Sequence, residues 1–189
     1  MKIKYLTYLI ITLISDSIYS QFDEYTVKAQ FMERFTHYIE WPEGSTIKNQ
    51  EIPFRIGVYG ENHFENKLNE IAELIEIKNK KVELREVDFK SILDCDMLFI
   101  SKCSEEELNK IIRIAVGRSI LLISDSDGFG KKGVHINFYN KNDKINFEIN
   151  ISSTRRDTFK ISSRLLKLAR IIEWKELKIF HSKRKWYLL

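Results

Sequence analysis

Apolar residues recur along this chain in two alternating rhythms. Between positions 23 and 40, Val27, Phe31, Phe35, Tyr38 and Ile39 fall at helical spacing, with Lys28, Glu33 and Arg34 on the opposite side. That periodicity predicts an amphipathic helix. Trp41-Pro42 ends it, because proline drives the preceding residue out of the helical region. Residues 43–52 are polar and read as a connection. Phe54 to Tyr59, closed by Gly60, is a first strand, and Phe64, Leu68, Ile71, Ala72 and Ile75 form a second helical stripe. Lys81 to Val87 alternates as a second strand, and Met97 to Ser101 is a short apolar third.

Ser104-Glu105-Glu106-Glu107 has the form of a capping box, in which a serine hydroxyl and a carboxylate three residues on satisfy each other's backbone N–H groups. It predicts a helix whose inner face is Leu108, Ile111, Ile112 and Ala115. Ser119 to Ser124 is a fourth strand. The rhythm then changes. Val134 to Tyr139 and Lys144 to Asn150 are two alternating strands joined by Asn140-Lys141-Asn142-Asp143, a hairpin signal. Arg155 to Thr158 predicts a helical turn, and Ile161, Leu165, Leu168, Ala169 and Ile172 a last helix. Strands alternating with helices imply parallel pairing with helices on both faces. The expectation is a single α/β domain: a mixed, mostly parallel sheet of about six strands flanked by helices, with a C-terminal antiparallel hairpin.

Composition fits that picture. The 189 residues are 43% hydrophobic, 12% aromatic and 31% charged, with 7 Gly and 2 Pro. Such a chain can bury a core and has no low-complexity tract. The net charge of +4 is modest, and the alternating signs read as a solvated surface; no nucleic-acid partner is expected.

The first twenty residues stand apart. Lys2 and Lys4 precede an apolar run from Tyr5 to Ile14, and small polar residues lead to Ser20. This is the layout of a secretory signal, with cleavage expected after Ser20. The run is shorter than the about 20 apolar residues that span a bilayer. The division that follows is a signal peptide over 1–20, a folded domain over 21–173 and a tail over 174–189. Export places Cys95 and Cys103 in an oxidising compartment. They flank the third strand, and eight extended residues cover about 26 Å, whereas a disulfide needs Cα atoms within about 7 Å. No disulfide between them is expected.

Candidate chemistry is sparse. Gly128-Phe129-Gly130-Lys131-Lys132-Gly133 matches G-x-G-x-x-G after a strand, but it leads into another strand, and the helix that would hold a pyrophosphate is missing. A turn with exposed Lys131 and Lys132 is the alternative. Ser124-Asp125-Ser126-Asp127-Gly128 resembles a calcium loop only faintly, since EF-hand spacing would place Ile123 and Val134 where carboxylates belong. Its carboxylates do lie at the carboxyl end of a strand, where open α/β sheets bind ligands. His37, His63, His135 and His181 make no zinc spacing with each other or with cysteine. No nucleophile elbow is present. The expectation is no catalytic residue, no metal and no cofactor. The tail mixes Lys175, Lys178, Lys183, Arg184 and Lys185 with Trp174, Phe180, Trp186 and Tyr187; this is either a docking element or a solvated terminus.

Several segments together resemble one family. Lys28-Ala29-Gln30-Phe31 leading to Tyr38-Ile39-Glu40-Trp41-Pro42 resembles its opening helix. Phe54 to Val58 resembles its first strand, and Asp94-Cys95-Asp96-Met97-Leu98-Phe99-Ile100-Ser101 its "D-C-x-x-L-F-I-S" strand. Asp125-Ser126-Asp127-Gly128-Phe129 followed by Ile136-Asn137-Phe138 resembles its "D-x-x-G-F … I-N-F" block, and Phe147 to Asn150 with Ile161 to Ala169 its closing strand and helix. The family is the YfiR-like group of periplasmic regulators, and the resemblance runs in order over residues 23–173. It implies a periplasmic binding protein, often a homodimer, that is not an enzyme. Such a protein represses a membrane-bound diguanylate cyclase or histidine kinase through a periplasmic sensor domain, and so restrains cyclic-di-GMP and biofilm. The chain departs from the family in lacking its additional cysteines and in carrying the basic-aromatic tail. The partner-binding residues expected are Phe31, Phe35 and Trp41 with Gly128, Phe129, Lys131 and Lys132; for the helix aromatics a core role is the competing reading. A small-ligand receptor, with its site at the carboxyl ends of the first and fourth strands, is the alternative function.

Overall fold

The computed structural model describes residues 24–173 apart from residue 65. The leader and the tail lie outside the described residues. Helix α1 spans 24–38. The strands are β1 (Ile39–Glu40), β2 (Phe54–Tyr59), β3 (Glu76–Ile77), β4 (Lys80–Val87), β5 (Met97–Ile100), β6 (Leu121–Ser124), β7 (Ile136–Lys141), β8 (Lys144–Asn150), β9 (Lys160–Ile161) and β10 (Arg170–Ile172). The remaining helices are α2 (Lys67–Leu74), α3 (Glu105–Ala115), α4 (Ile151–Arg156) and α5 (Ser163–Leu168).

Eight strands form one sheet in the order β10-β8-β7-β6-β5-β2-β4-β3, and β1 pairs with β9 in a separate antiparallel ladder. The run β4-β2-β5-β6-β7 is parallel; β8 is antiparallel to β7, and β10 is parallel to β8. The expected mixed, mostly parallel α/β sheet is thus present as a single domain. The short strands β1, β3, β9 and β10 add to the six legible in the sequence, because segments of two or three residues carry no readable period.

Period-2 alternation explains the two core layers. Ile56, Val58, Met97, Phe99, Leu121 and Ile123 point to one face, where Met32 and Phe35 of α1, Leu68 of α2 and Leu165 of α5 cover them. Leu98, Ile100, Ile120 and Leu122 point to the other, where α3 lays down Leu108, Ile111, Ile112 and Ala115. Each such large apolar side chain, taken fully from water, contributes about 1.5–3 kcal/mol. Ser104 and Glu107 form the capping box anticipated for α3. The β7–β8 turn is made by Asn142 and Asp143 with φ of 52° and 57°, the left-handed pair that matches strand twist in a two-residue hairpin.

Three local expectations change. Lys28, assigned to the polar side of α1, is 3% exposed, because its ammonium finds two carboxylates inside (below). Ile39 leaves the helix for β1, where it pairs with Ile161 of β9. The last helix stops at Leu168: Ile161 already belongs to β9, Leu168 is 75% exposed, and residues 170–172 extend beside β8, where Arg170 meets the buried Glu148.

Candidate functional site: the crevice at the carboxyl ends of the parallel strands

From β2 the chain crosses through α2 toward β4, whereas from β5 it crosses through α3 toward β6. Adjacent strands β2 and β5 therefore feed connections that run in opposite directions. Such a switch point opens a crevice at the carboxyl ends of the strands, the usual ligand position in open α/β sheets. A half-open cavity of about 740 Å³ lies there. Its walls come from the loop after β2 (His63), the loop after β5 (Lys102, Cys103), the loop after β6 (Asp125 to Asp127, Phe129) and the first turn of α1.

One ion-paired cluster holds that first turn in place. Lys28 Nζ lies 2.6 Å from Asp125 Oδ2 and 2.6 Å from Glu24 Oε1. The Tyr25 hydroxyl donates to the same Asp125 oxygen at 2.9 Å, and Lys28 Nζ sits 4.1 Å from the Tyr25 ring centroid. A buried ammonium needs this degree of satisfaction, since an unpaired one would cost several kcal/mol. Burial, and next the Asp125 carboxylate, push the Tyr25 hydroxyl well above its ordinary value, so it remains a donor at any physiological pH. Ser126 places a buried hydroxyl oxygen, without a hydrogen-bond partner among the described residues, beside this cluster.

Reactive groups in the crevice and elsewhere in the fold are quiet. Cys103 is raised to about 11 by burial and then by Glu107, and Cys95 to about 11, chiefly by burial. Both thiols are free and protonated at neutral pH, which makes them poor nucleophiles. Tyr59 is pushed up to about 12 by burial and by its 3.1 Å hydrogen bond to Glu107. His135 is buried beneath the sheet's end with both nitrogens engaged: Nδ1 accepts from the Leu122 N–H at 2.9 Å and Nε2 meets Asp157 at 2.8 Å. Among the described residues no group of three or more His, Cys, Asp and Glu side chains could hold a metal.

The residues expected to contact a partner fall in two places. Phe35 is 1% exposed and stacks on Phe138 at 5.8 Å, while Phe31, half-buried, packs on Phe147 at 5.7 Å. Trp41 is half-buried, edge-on to Phe54 and Phe159, and its indole N–H donates to the Asp96 carbonyl at 3.1 Å. That places Trp41 at the amino ends of β2 and β5. Asp96 is itself tied to the Arg55 N–H and to the Thr46 hydroxyl.

The Gly128–Gly133 loop lies at the opposite, carboxyl end, about 15–20 Å away along strands of four to six residues. There Phe129 is buried in the α3 layer, Lys132 pairs with Glu105 at 2.8 Å and Lys131 is exposed. Gly128 and Gly133 take φ of +77° and +117°, as a turn requires. Gly130 serves packing, since a Cβ there would sit 2.3 Å from Glu148 Oε1. The G-x-G-x-x-G spacing is accounted for by these turns and this contact.

The Lys28–Asp125 pair and the His135–Asp157 pair escaped the sequence reading. Lys28 and Asp125 both lie within segments that resemble the family's blocks, yet 97 positions separate them and no spacing rule joins them.

None of the curated proteins matches this chain. Among solved structures it is similar to the ABC domain in complex with L-Trp from Streptococcus pneumonia, with a TM-score of 0.47 and 9% identity over 67% of this chain. The chain spans 57% of the length of that structure. The YfiR/HmsC-like family matches residues 25–170, from Tyr25 in the crevice to Arg170 on the edge strand. The chain belongs to the YfiR/HmsC-like family.

Proposed function

We propose that the protein is a periplasmic regulatory binding protein that represses a membrane-bound signalling enzyme, a diguanylate cyclase or a histidine kinase, through that enzyme's periplasmic sensor domain. The observation that carries this reading is the family match over residues 25–170. Residues 1–20 then act as the export signal. A binding protein can hold a membrane enzyme off only by preferring one of that enzyme's two conformations. Of the expected contact residues, Lys131 and Lys132 are exposed, Phe31, Trp41 and Gly128 are partly so, and Phe35 and Phe129 are buried; the contact proposed here is centred on Lys131 and Lys132. The quiet chemistry of the crevice suits recognition: its one thiol, Cys103, is protonated. The test is capture of partners by residues 21–189 from detergent-solubilised membranes of the source cell, at low salt. A cyclase or kinase with a periplasmic sensor domain is the expected capture, and recovery of neither would count against the proposal.

The crevice itself favours a second reading, a small-ligand receptor. Its volume of about 740 Å³ falls within the range of small-molecule sites, and Lys102, Asp125 and Asp127 line it beside apolar and aromatic side chains. A thermal-shift screen distinguishes this reading, because a ligand of the folded state raises the melting temperature with its saturation.

A further inference from the structure

Strand β4 is open along one side. Residues Val82 to Val87 pair with β2, but on the other side β3 covers only Lys80 and Lys81. Among the described residues no strand lies beyond β3. The β3–β4 turn shows which backbone groups are free. Lys78 and Asn79, with φ of 56° and 62°, form a two-residue hairpin turn that closes on the hydrogen-bonded pair Ile77 and Lys80. Lys80 therefore aims its backbone N–H and C=O at β3. By alternation Val82, Leu84 and Glu86 aim theirs the same way, past the end of β3. A half-open groove of about 630 Å³ runs beside them, lined by Asn69, Ala72 and Glu73 of α2 and by Val82, Glu83 and Leu84 of β4. A row of unpaired backbone groups is a template for another strand, and proteins usually blunt it with Pro, a bulge or charge. Val82 to Val87 contains no Pro, and its charges are Glu83, Arg85 and Glu86.

We infer that this edge docks a second copy of the chain, β4 against β4, antiparallel about a two-fold axis at Leu84. Charge selects both the occupant and the register. Free backbone groups must face free backbone groups, so only even positions can stand opposite even positions. With Leu84 opposite Leu84 of the second copy, Val82 meets Glu86 and every free group of the edge finds a partner. Glu83 then stands opposite Arg85 of the second copy, twice by symmetry. These are the non-hydrogen-bonded positions, where side chains approach most closely. The next allowed register on either side sets Glu83 against Glu83 or Arg85 against Arg85, and like charges directly opposite destabilise a sheet. Within one copy Arg85 Nη2 already lies 2.8 Å from Glu83 Oε1, with the side chains 38% and 40% exposed. Docking joins two such bridges into one ring of alternating charge on the side of the sheet where Val87 meets the α3 layer. On the other side Val82 and Leu84, which pack against the α1–α2 layer, bring Leu84 against its counterpart. The dimer displays the Lys131–Lys132 loop twice, but the inference stands apart from what that loop binds.

The experiment is sedimentation velocity of the full chain over a dilution series, with a thiol reductant present so that cysteines cannot link copies. The proteins compared are wild type, Glu83→Arg, Arg85→Glu and the exchange Glu83→Arg/Arg85→Glu. Residues 1–20 are the same in all of them, so the readout is the difference between samples. Wild type is expected to dimerise. Each single change turns both cross-strand pairs into like charges and should raise the dimer Kd about tenfold. Mixed in equal amounts, the two single variants set Arg against Glu at both pairs again and should dimerise as wild type does. The exchange variant should do so alone. Recovery on mixing also shows that neither single variant has lost its fold. A wild type that stays monomeric throughout would overturn the inference and leave the edge to a strand of another protein. Single variants that dimerise as tightly as wild type would overturn it too, as would a mixture no tighter than its components.

Discussion

Lys28 Nζ lies 2.6 Å from Asp125 Oδ2, and this contact joins the first turn of α1 to the end of β6 across 97 residues of chain. Breaking a buried pair leaves one charge uncompensated, whereas replacing both partners by apolar residues of similar size is far less costly. Asp125→Ala is therefore expected to lower the unfolding free energy by about 3 kcal/mol. Lys28→Met/Asp125→Leu should lose less than the single change does. Urea unfolding of the two variants checks the order; a double variant worse than the single would show that the pair stabilises on its own account.

Trp41, an expected partner contact, also packs edge-on against Phe54 and Phe159 and donates to the Asp96 carbonyl. Trp41→Ala should therefore cost about 3 kcal/mol through lost burial and a cavity. Trp41→Phe should recover most of the packing while losing the hydrogen bond, worth about 1 kcal/mol. Chemical denaturation separates the two terms. A Trp41→Ala protein of undiminished stability would contradict the packing role.

The loop glycines separate a steric from a conformational requirement. Gly130→Ala drives a Cβ to 2.3 Å of Glu148 Oε1 and 3.1 Å of Asn137 Cβ, and is expected to destabilise by about 1–3 kcal/mol. Gly128→Ala meets nothing within 4 Å but must hold φ at +77°, which costs about 1–2 kcal/mol. Thermal unfolding of the two variants should rank Gly130 as the more sensitive.

Acidification should destabilise the protein through His135 and Asp157. Burial lowers His135 from its ordinary 6.5 despite the Asp157 carboxylate, so the unfolded chain binds the imidazole proton first. Stability from the neutral ring is complete above pH 6.5 and falls below it, by up to about 1.4 kcal/mol per pH unit. Burial by itself would raise Asp157, but hydrogen bonds from His135 and Arg156 outweigh it and hold the group below 3.8. Its contribution is complete above that value and is lost only in strong acid. Geometry agrees with the imidazole assignment, because protonating Nδ1 would turn a donor toward the Leu122 N–H. The groups facing the ring include Asp157, Arg156, the Ser153 backbone, the Leu122 N–H and the Phe159 ring. His135→Gln should flatten the stability profile between pH 6.5 and 5, read by denaturant titration at several pH values.

Regular elements of adequate length were legible in the residue pattern. The capping box at Ser104 fixed the start of α3 locally, and period-2 runs marked β2, β4, β5 and the β7–β8 hairpin. Elements stabilised by distant partners were not legible. The strand β10 depends on Arg170 reaching Glu148, and Ile172 mimics a helical period it does not follow. Lys28 looked like a solvated face because its carboxylates come from another turn of its own helix and from a loop ninety-seven positions away. The α/β class alone points to the carboxyl ends of β2 and β6 as a ligand position, but the strand order and the cavity's walls needed the fold.

Repression of a membrane signalling enzyme is measured most directly as the turnover of the captured enzyme in reconstituted vesicles, with and without saturating protein. The product, cyclic-di-GMP or phosphorylated kinase, should fall on addition of the protein. The inhibition should weaken in Lys131→Glu/Lys132→Glu, whose side chains are exposed. Turnover that is unchanged or raised by the wild-type protein would contradict it.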